Sequence, residues 1–301
     1  MEPHSQDVAL IALSLVPGFS WAKTRAQIEE HGSPIEVLRA RFGDQLFGDG
    51  YDQAILQAQE FIASCTADGV NVASLWGKEY PRHLRTVHDA PPILFWQGHM
   101  DPRDEDAVAI VGTRNPDHSG SKFAHELASK LSLHGIPVVS GLARGIDGIA
   151  LRSALSTHGR AIGVIGTGHD SAYPPEHSGL QLKVAEHLLI SQFRPGTTIS
   201  KRNFPMRNVV MSGFASLTTI VQAGETSGTR IQARAAVKHG RPLIISEPVY
   251  RSADWARQLV GERYDIVVVR DVDEAYAAIS DIHARRRAAA EEQDTGAYLV
   301  G

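Results

Sequence analysis

With 301 residues, 43 % of them hydrophobic, the chain has room for two domains and a sizeable core. Its single cysteine, Cys65, excludes an internal disulfide framework and fits a reducing compartment, and its formal net charge of −4 excludes a uniformly basic nucleic-acid binder while leaving room for a local basic groove. The apolar run 8–16 is too short to span a bilayer and lacks a basic lead, so we expect a cytoplasmic protein with no membrane segment.

Taken in order, residues 8–40 read as short helices, 8–15, 21–30 and 35–41, joined by turns at Pro17-Gly18 and Gly32-Ser33-Pro34. A helical hairpin can hold a DNA phosphate on its turn amides, but this turn lacks a second glycine, so packing is its expected role. Residues 52–68 form a further helix with Ile55, Leu56, Ala58, Phe61 and Ile62 on its apolar side. Pro91 and Pro92 then lead into the aromatic run 93–96, which reads as an edge strand of a main sheet. The polar run 100–106 follows, and the domain boundary falls between 68 and 106.

Residues 108–147 organise what comes next. The apolar run 108–111 breaks at Gly112, a helix over 119–133 places Phe123, Leu127 and Leu131 on one side, and the strand 137–140 breaks at Gly141. Two apolar strands joined by one amphipathic helix pair in parallel through a right-handed crossover. The pattern repeats through a helix 146–157, strand 161–165, helix 179–186, strand 188–191, a long loop, a helix ending near Gly213, strand 217–221, helix 229–239, strands 242–246 and 265–269, and a helix 272–280. The fold class is therefore α/β: a Rossmann-like doubly wound, mostly parallel sheet preceded by a small all-helical N-terminal domain. We place the helical domain at 1–68, the Rossmann-like domain at 69–280, and a charged tail, a frayed helix with no room for a winged helix, at 281–301.

In such a sheet the strands end on one edge, where ligands bind. Gly112-Thr113-Arg114, Gly141 through Gly145, Gly166-Thr167-Gly168 and Gly224 through Thr229 all fall there. Residues 187–224 contain no Asp or Glu, yet they hold Arg194, Lys201, Arg202 and Arg207 interleaved with Phe193, Phe204 and Phe214. Cations among aromatics suit a surface that neutralises phosphates and stacks bases. Other chemistries lack their patterns: there is no Walker A loop, no dinucleotide fingerprint at Gly141–Gly145 and no nucleophile elbow. His169, Asp170 and His177 are the nearest approach to a ligand cluster, and at that spacing no metal is expected. Asp147 reads as a carboxylate matched to a helix start. We find no acid–base pair and expect no cofactor and no catalytic residue.

The strings VAIVGTR (108–114), VVSGLARGID (138–147), GTGHDSAYPPEH (166–177), FRPGT (193–197), NFPMRN (203–208) and TSGTRIQA (226–233), in this order, resemble the bacterial DNA-processing protein A family, also called Smf. KEYPRHLRTVHDAPPILFWQG (78–98) resembles the family's lead-in segment, and residues 8–40 its N-terminal helical domain. The resemblance implies a sequence-nonspecific single-stranded-DNA-binding protein that protects incoming strands, helps load the RecA recombinase during natural transformation, dimerises, and has no catalytic turnover. Carried onto this chain, it implies a DNA site of Gly112, Thr113, Arg114, Ser140, Gly141, Arg144, Gly145, Lys201, Phe204, Arg207 and Asn208. Phe204 would stack on a base, Arg207 and Asn208 would shape the pocket, and Gly112, Ser140, Gly141 and Gly145 would let the strand approach the backbone.

The chain departs from the family pattern at Gln192 and Gln222, where acids are usual, at Leu151 in place of a histidine and at Val209 in place of a second arginine. Two rival readings stand beside the leading one. The first is a nucleotide-derived small-molecule sensor, or a phosphoribohydrolase-like protein, of the same Rossmann-like superfamily. The second is a paralogue that keeps the fold for protein contacts only.

Overall fold

The computed structural model describes residues 4–42, 50–262 and 264–298. The N-terminal helices are α1 (His4–Leu15), α2 (Trp21–His31), α3 (Pro34–Phe42) and α4 (Gly50–Ala67). The chain continues through β1 (Asn71–Ser74), α5 (Arg82–Arg85), β2 (Ile93–Gly98), β3 (Val108–Val111), α6 (His118–Leu133), β4 (Val138–Ser140) and α7 (Ile146–Ser156). Next come β5 (Ala161–Ile165), α8 (Ser178–Ala185), β6 (Leu188–Ser191), α9 (Asn203–Phe214), β7 (Leu217–Ile220) and α10 (Thr229–Lys238). The remaining elements are β8 (Leu243–Ser246), α11 (Glu247–Ser252), α12 (Asp254–Gly261), β9 (Ile266–Val269) and α13 (Val272–Tyr298).

Among the described residues, nine strands form one sheet in the order β1-β2-β6-β5-β4-β3-β7-β8-β9. Every pair from β6 to β9 along that order is parallel, whereas β2 runs antiparallel to both of its neighbours. The Rossmann-like, doubly wound sheet expected from the sequence is thus present. Strand alternation divides the interior into two layers. Ala109 and Val111 enter a core with Val210, Met211 and Phe214 of α9, while Val108 and Ile110 enter another with Leu127 and Leu131 of α6. Burial on both faces is why the sequence shows continuous apolar runs rather than an apolar–polar alternation.

Two expectations change. The aromatic strand 93–96 does not form the sheet edge, because β1 pairs outside it in antiparallel register, Val72 opposite Phe95. Pro91 and Pro92 precede β2 rather than interrupt it, so its backbone can serve both neighbours. Its alternation also joins two cores: Leu94 and Trp96 face the sheet's core, and Ile93 and Phe95 complete the core of α1–α4. The last helix, in turn, does not stop near 280. Ile282 and His283 are buried, Arg286 donates to the Ser216 carbonyl at 2.9 Å, and Arg285 pairs with Asp265 at 3.4 Å. The first arginines of the expected tail therefore hold α13 against the body.

No helix among the described residues is long and apolar enough to cross a membrane. The turn before β3 carries a buried ion pair. Arg160 Nε donates to Asp104 Oδ1 at 2.5 Å, and its Nη2 reaches Asp104 Oδ2 at 2.8 Å and the His99 carbonyl at 2.6 Å. Both side chains are within 6 % of full burial, so removing one partner strands a charge out of water. Asp104→Ala is expected to lower the unfolding free energy by about 3–5 kcal/mol. Urea denaturation checks this, and a loss below about 1 kcal/mol, the range of an exposed pair, would refute it.

Candidate functional site

The parallel strands end at one edge. At its middle lies β3, bonded to β4 on one side and to β7 on the other, so the connections depart in opposite directions and leave a crevice. The turns after β3 and β7 are tied together there: Thr113 N donates to the Gln222 carbonyl at 2.7 Å, and Ile146 N, opening α7, donates to the Thr113 carbonyl at 3.2 Å. These backbone bonds leave the Arg114 side chain exposed at the mouth, with no hydrogen-bond or ion-pair partner among the described residues.

The glycines expected to admit a ligand are mostly filled by the protein itself. A Cβ on Gly141 would overlap the guanidinium of Arg207, one on Gly112 would come within 2.6 Å of Ile146, and one on Gly145, whose φ is +71°, would meet the Thr113 carbonyl. Ser140 is fully buried and its hydroxyl donates to the Ile110 carbonyl at 2.7 Å. These four positions therefore let elements of the protein approach one another, and two of them also border the clefts, Gly141 the small one and Gly112 the large one. Gly224 and Gly228 differ: a Cβ on either would meet nothing within 4 Å.

Arg207 is the inner wall. It projects from α9 into the sheet edge, is 6 % exposed, and donates through Nη1 to the Val164 carbonyl at 3.0 Å. Its Nε has no partner among the described residues. Asp147 lies beside it, 5 % exposed, and accepts from Gly141 N at 3.2 Å and Ala143 N at 3.4 Å. Its role is thus to hold the preceding turn rather than to cap its own helix. Burial pushes the Asp147 carboxyl up, opposed by the charges of Arg207 and Arg114 and by the two backbone donors. Burial likewise pulls Arg207 down, and the Asp147 carboxylate opposes that shift.

Two clefts share this wall. A small one of about 40 Å³ lies between Arg114, Arg144, Tyr173, Phe204 and Arg207. The larger, about 660 Å³, runs from the 112–115 turn past Phe204 and Asn208 to the start of α10. Phe204 borders both, half-buried, with its ring 5.0 Å from that of Tyr173 at 43°. Tyr173 had not been singled out; the signal available was its place in SAYPPEH, directly after β5 on the same edge. Gln232, another residue the sequence did not flag, lines the larger cleft at 1 % exposure, and its Oε1 lacks a partner among the described residues.

The predicted cations separate into different roles. Arg144 is exposed but ion-paired with Glu176, so an anion there must compete with a carboxylate. Lys201 is exposed just ahead of α9 and borders neither cleft. His169, Asp170 and His177 each hold a different backbone segment: the Leu189 carbonyl at 3.1 Å, Gly196 N at 3.0 Å and the Leu142 carbonyl at 2.9 Å. The departures have local reasons as well. Gln222 accepts from Asp117 N at 3.1 Å and donates to Asp117 Oδ2 at 2.8 Å, a contact that a carboxylate in its place would turn into repulsion. Leu151 is wholly inside the core. Nothing in the structure explains Val209.

Comparison with known proteins decides the family. The model for DNA recombination-mediator protein A matches residues 71–268, from β1 into β9. This chain belongs to that family. The DNA processing protein DprA of Bacillus subtilis (strain 168) is 37 % identical over 185 residues, covering 61 % of this chain and 62 % of the relative. Protein Smf of Synechocystis is 37 % identical over 197 residues, covering 63 % and 50 %. This chain thus spans half to three-fifths of the length of these two relatives. The X-ray structure of DprA from Streptococcus pneumoniae shares its fold, with a TM-score of 0.68 at 24 % identity over 92 % of this chain and 98 % of that one. DprA from Helicobacter pylori, described for its single-stranded-DNA binding mode, aligns with a TM-score of 0.60 at 25 % identity over 72 % and 96 %.

For this recombination-mediator fold, the fit of Arg207 over Gly141 has a direct test. Gly141→Ala is expected to destabilise by about 2–3 kcal/mol, since overpacking forces a buried group aside. Arg207→Met is itself destabilising, but the double variant should fall short of the sum of the two losses by about 1 kcal/mol or more, a coupling expected only for side chains in contact. Additive effects in a denaturation cycle would refute the contact.

Proposed function

We propose that this chain binds single-stranded DNA without sequence preference along the switch-point edge, protects it, and helps load a RecA-class recombinase during transformation, acting as a homodimer in the cytoplasm. The observation that carries the reading is the pairing of Phe204, which borders both clefts, with Tyr173, with Arg114 exposed beside them and Lys201 exposed just ahead of α9. A half-buried ring at a cleft offers a face for a base, and the exposed cations Arg114, in the same cleft, and Lys201, three residues ahead in the chain, suit the phosphates that flank it. The geometry favours single strands, because a duplex keeps its base faces stacked and out of reach of such a ring. Membership of the recombination-mediator family and the names of its relatives support the same reading. The fixed inner wall of Arg207 and Asp147 adds a shaped floor that needs no reordering on binding.

A second reading has its own observation. The larger cleft has the size of a small-molecule site, is bordered by the open Gly224 and Gly228 at the start of α10, and contains the unpartnered Gln232 Oε1. It predicts that a free nucleotide raises the melting temperature while oligonucleotide binding is weak.

Fluorescence anisotropy of labelled oligo-dT against the matching duplex, at low and near-physiological salt, separates the readings. Lys201→Ala and Arg114→Ala are each expected to weaken single-strand binding and to lower the salt slope by about 0.7, the share of one phosphate contact on a single strand. Phe204→Ala should cost about 1–3 kcal/mol with little change in that slope, as stacking carries no net charge. Unchanged affinity and slope in all three variants would overturn the site, and no single-strand binding by the wild type at low salt would overturn the function.

A further inference from the structure

Away from the switch-point edge, at the opposite end of α10, three side chains converge that the DNA reading does not use. His239 follows the last turn of α10, while His88 and Asp89 lie in the loop between α5 and β2. The Asp89 carboxylate stands between two imidazoles: its Oδ1 is 2.7 Å from His239 Nε2 and its Oδ2 is 3.6 Å from His88 Nε2. The rings are 5.6 Å apart at 66°, and one ligand atom from each residue falls within 4.8 Å of the others.

We propose that His88, Asp89 and His239 form a site for one divalent transition-metal ion of the zinc class. Two imidazole nitrogens and one carboxylate oxygen are a borderline donor set, suited to zinc or cobalt and poorly suited to magnesium or calcium. The protein supplies three ligands and leaves a fourth position to water. His239 is already oriented for the task. Its Nδ1 is engaged by Ser212 Oγ at 3.0 Å, the outer hydrogen bond that fixes a ligating ring and turns its other nitrogen toward the ion. His88 is 61 % exposed, so it can close the remaining distance, and its backbone is anchored by Arg25, which donates to the His88 carbonyl at 2.8 Å. Metal–ligand bonds of about 2.0–2.2 Å require the His239–Asp89 pair to open slightly and His88 to move inward. Arg241 adds like charge near His239, so the site should bind more weakly than a closed structural zinc site.

Occupancy would have a structural consequence. An ion here would clamp the end of α10, which packs on the sheet, to the loop that also holds α2 through Arg25. It would thereby join the helical layer to the sheet at a point remote from the proposed DNA edge.

The test uses tag-free full-length protein titrated with Zn²⁺ by calorimetry and with Co²⁺ by visible absorption. Wild type is compared with His88→Gln, Asp89→Asn and, as a control for the other histidines, the exposed His118→Gln. The expected result is one equivalent bound, with ligand-field absorption of the cobalt form and a Zn²⁺-dependent rise in melting temperature. Affinity should fall by about tenfold or more in His88→Gln and Asp89→Asn and be kept in His118→Gln. Because His88 is exposed, its variant removes a ligand without opening the core. Equal stoichiometry and affinity in all four proteins, or no binding by the wild type, would overturn the proposal.

Discussion

The guanidinium of Arg207 occupies the space that a side chain at Gly141 would fill, and much of the sheet edge depends on that one fit. A buried arginine needs both a carbonyl to accept its N–H hydrogen bonds and a nearby negative charge. Val164 supplies the first and Asp147 the second, and Asp147 is itself held by the amides of the turn that Gly141 opens. Strand β5, the turn after β4, the start of α7 and helix α9 are thereby locked to a single charged centre. The wall shared by both clefts is therefore buried and bonded within the protein, and whatever binds above it meets a preformed surface.

The same centre explains how the cations of the acid-poor stretch can differ in function. Arg207 is enclosed and serves the protein. Arg114 and Lys201 are exposed and face solvent, whereas Arg144 is held by Glu176. A basic side chain can neutralise a phosphate only if it is reachable and not already neutralised. Burial and pairing thus sort residues that the sequence presents as equivalent.

The helical layer is joined to the sheet by strand alternation. Ile93 and Phe95 point to one core and Leu94 and Trp96 to another, so β2 cannot shift by one residue without exposing both sets. At the far edge, α13 is held by Arg285 and Arg286 well beyond the point where its apolar periodicity fades. These contacts, together with the strong helix formers of the Ala-, Arg- and Glu-rich run 284–292, account for its extension there.

Much of this was legible in the residues alone. Apolar runs ending in glycine located β3, β4 and β5 and their shared edge, because a strand buried on both faces has to be apolar throughout. The motif strings pointed to the recombination-mediator family, and the acid-free stretch marked the side of the sheet where Phe204 lies. The sequence did not reveal which glycines are filled by neighbours and which are open, that β1 covers β2, that Tyr173 sits beside Phe204, or that His88 and Asp89 meet His239 across 150 residues. Local pattern determines which face of an element is apolar and where the element stops. Contacts between elements distant in sequence depend on how the layers close on one another, and only the tertiary structure decides that.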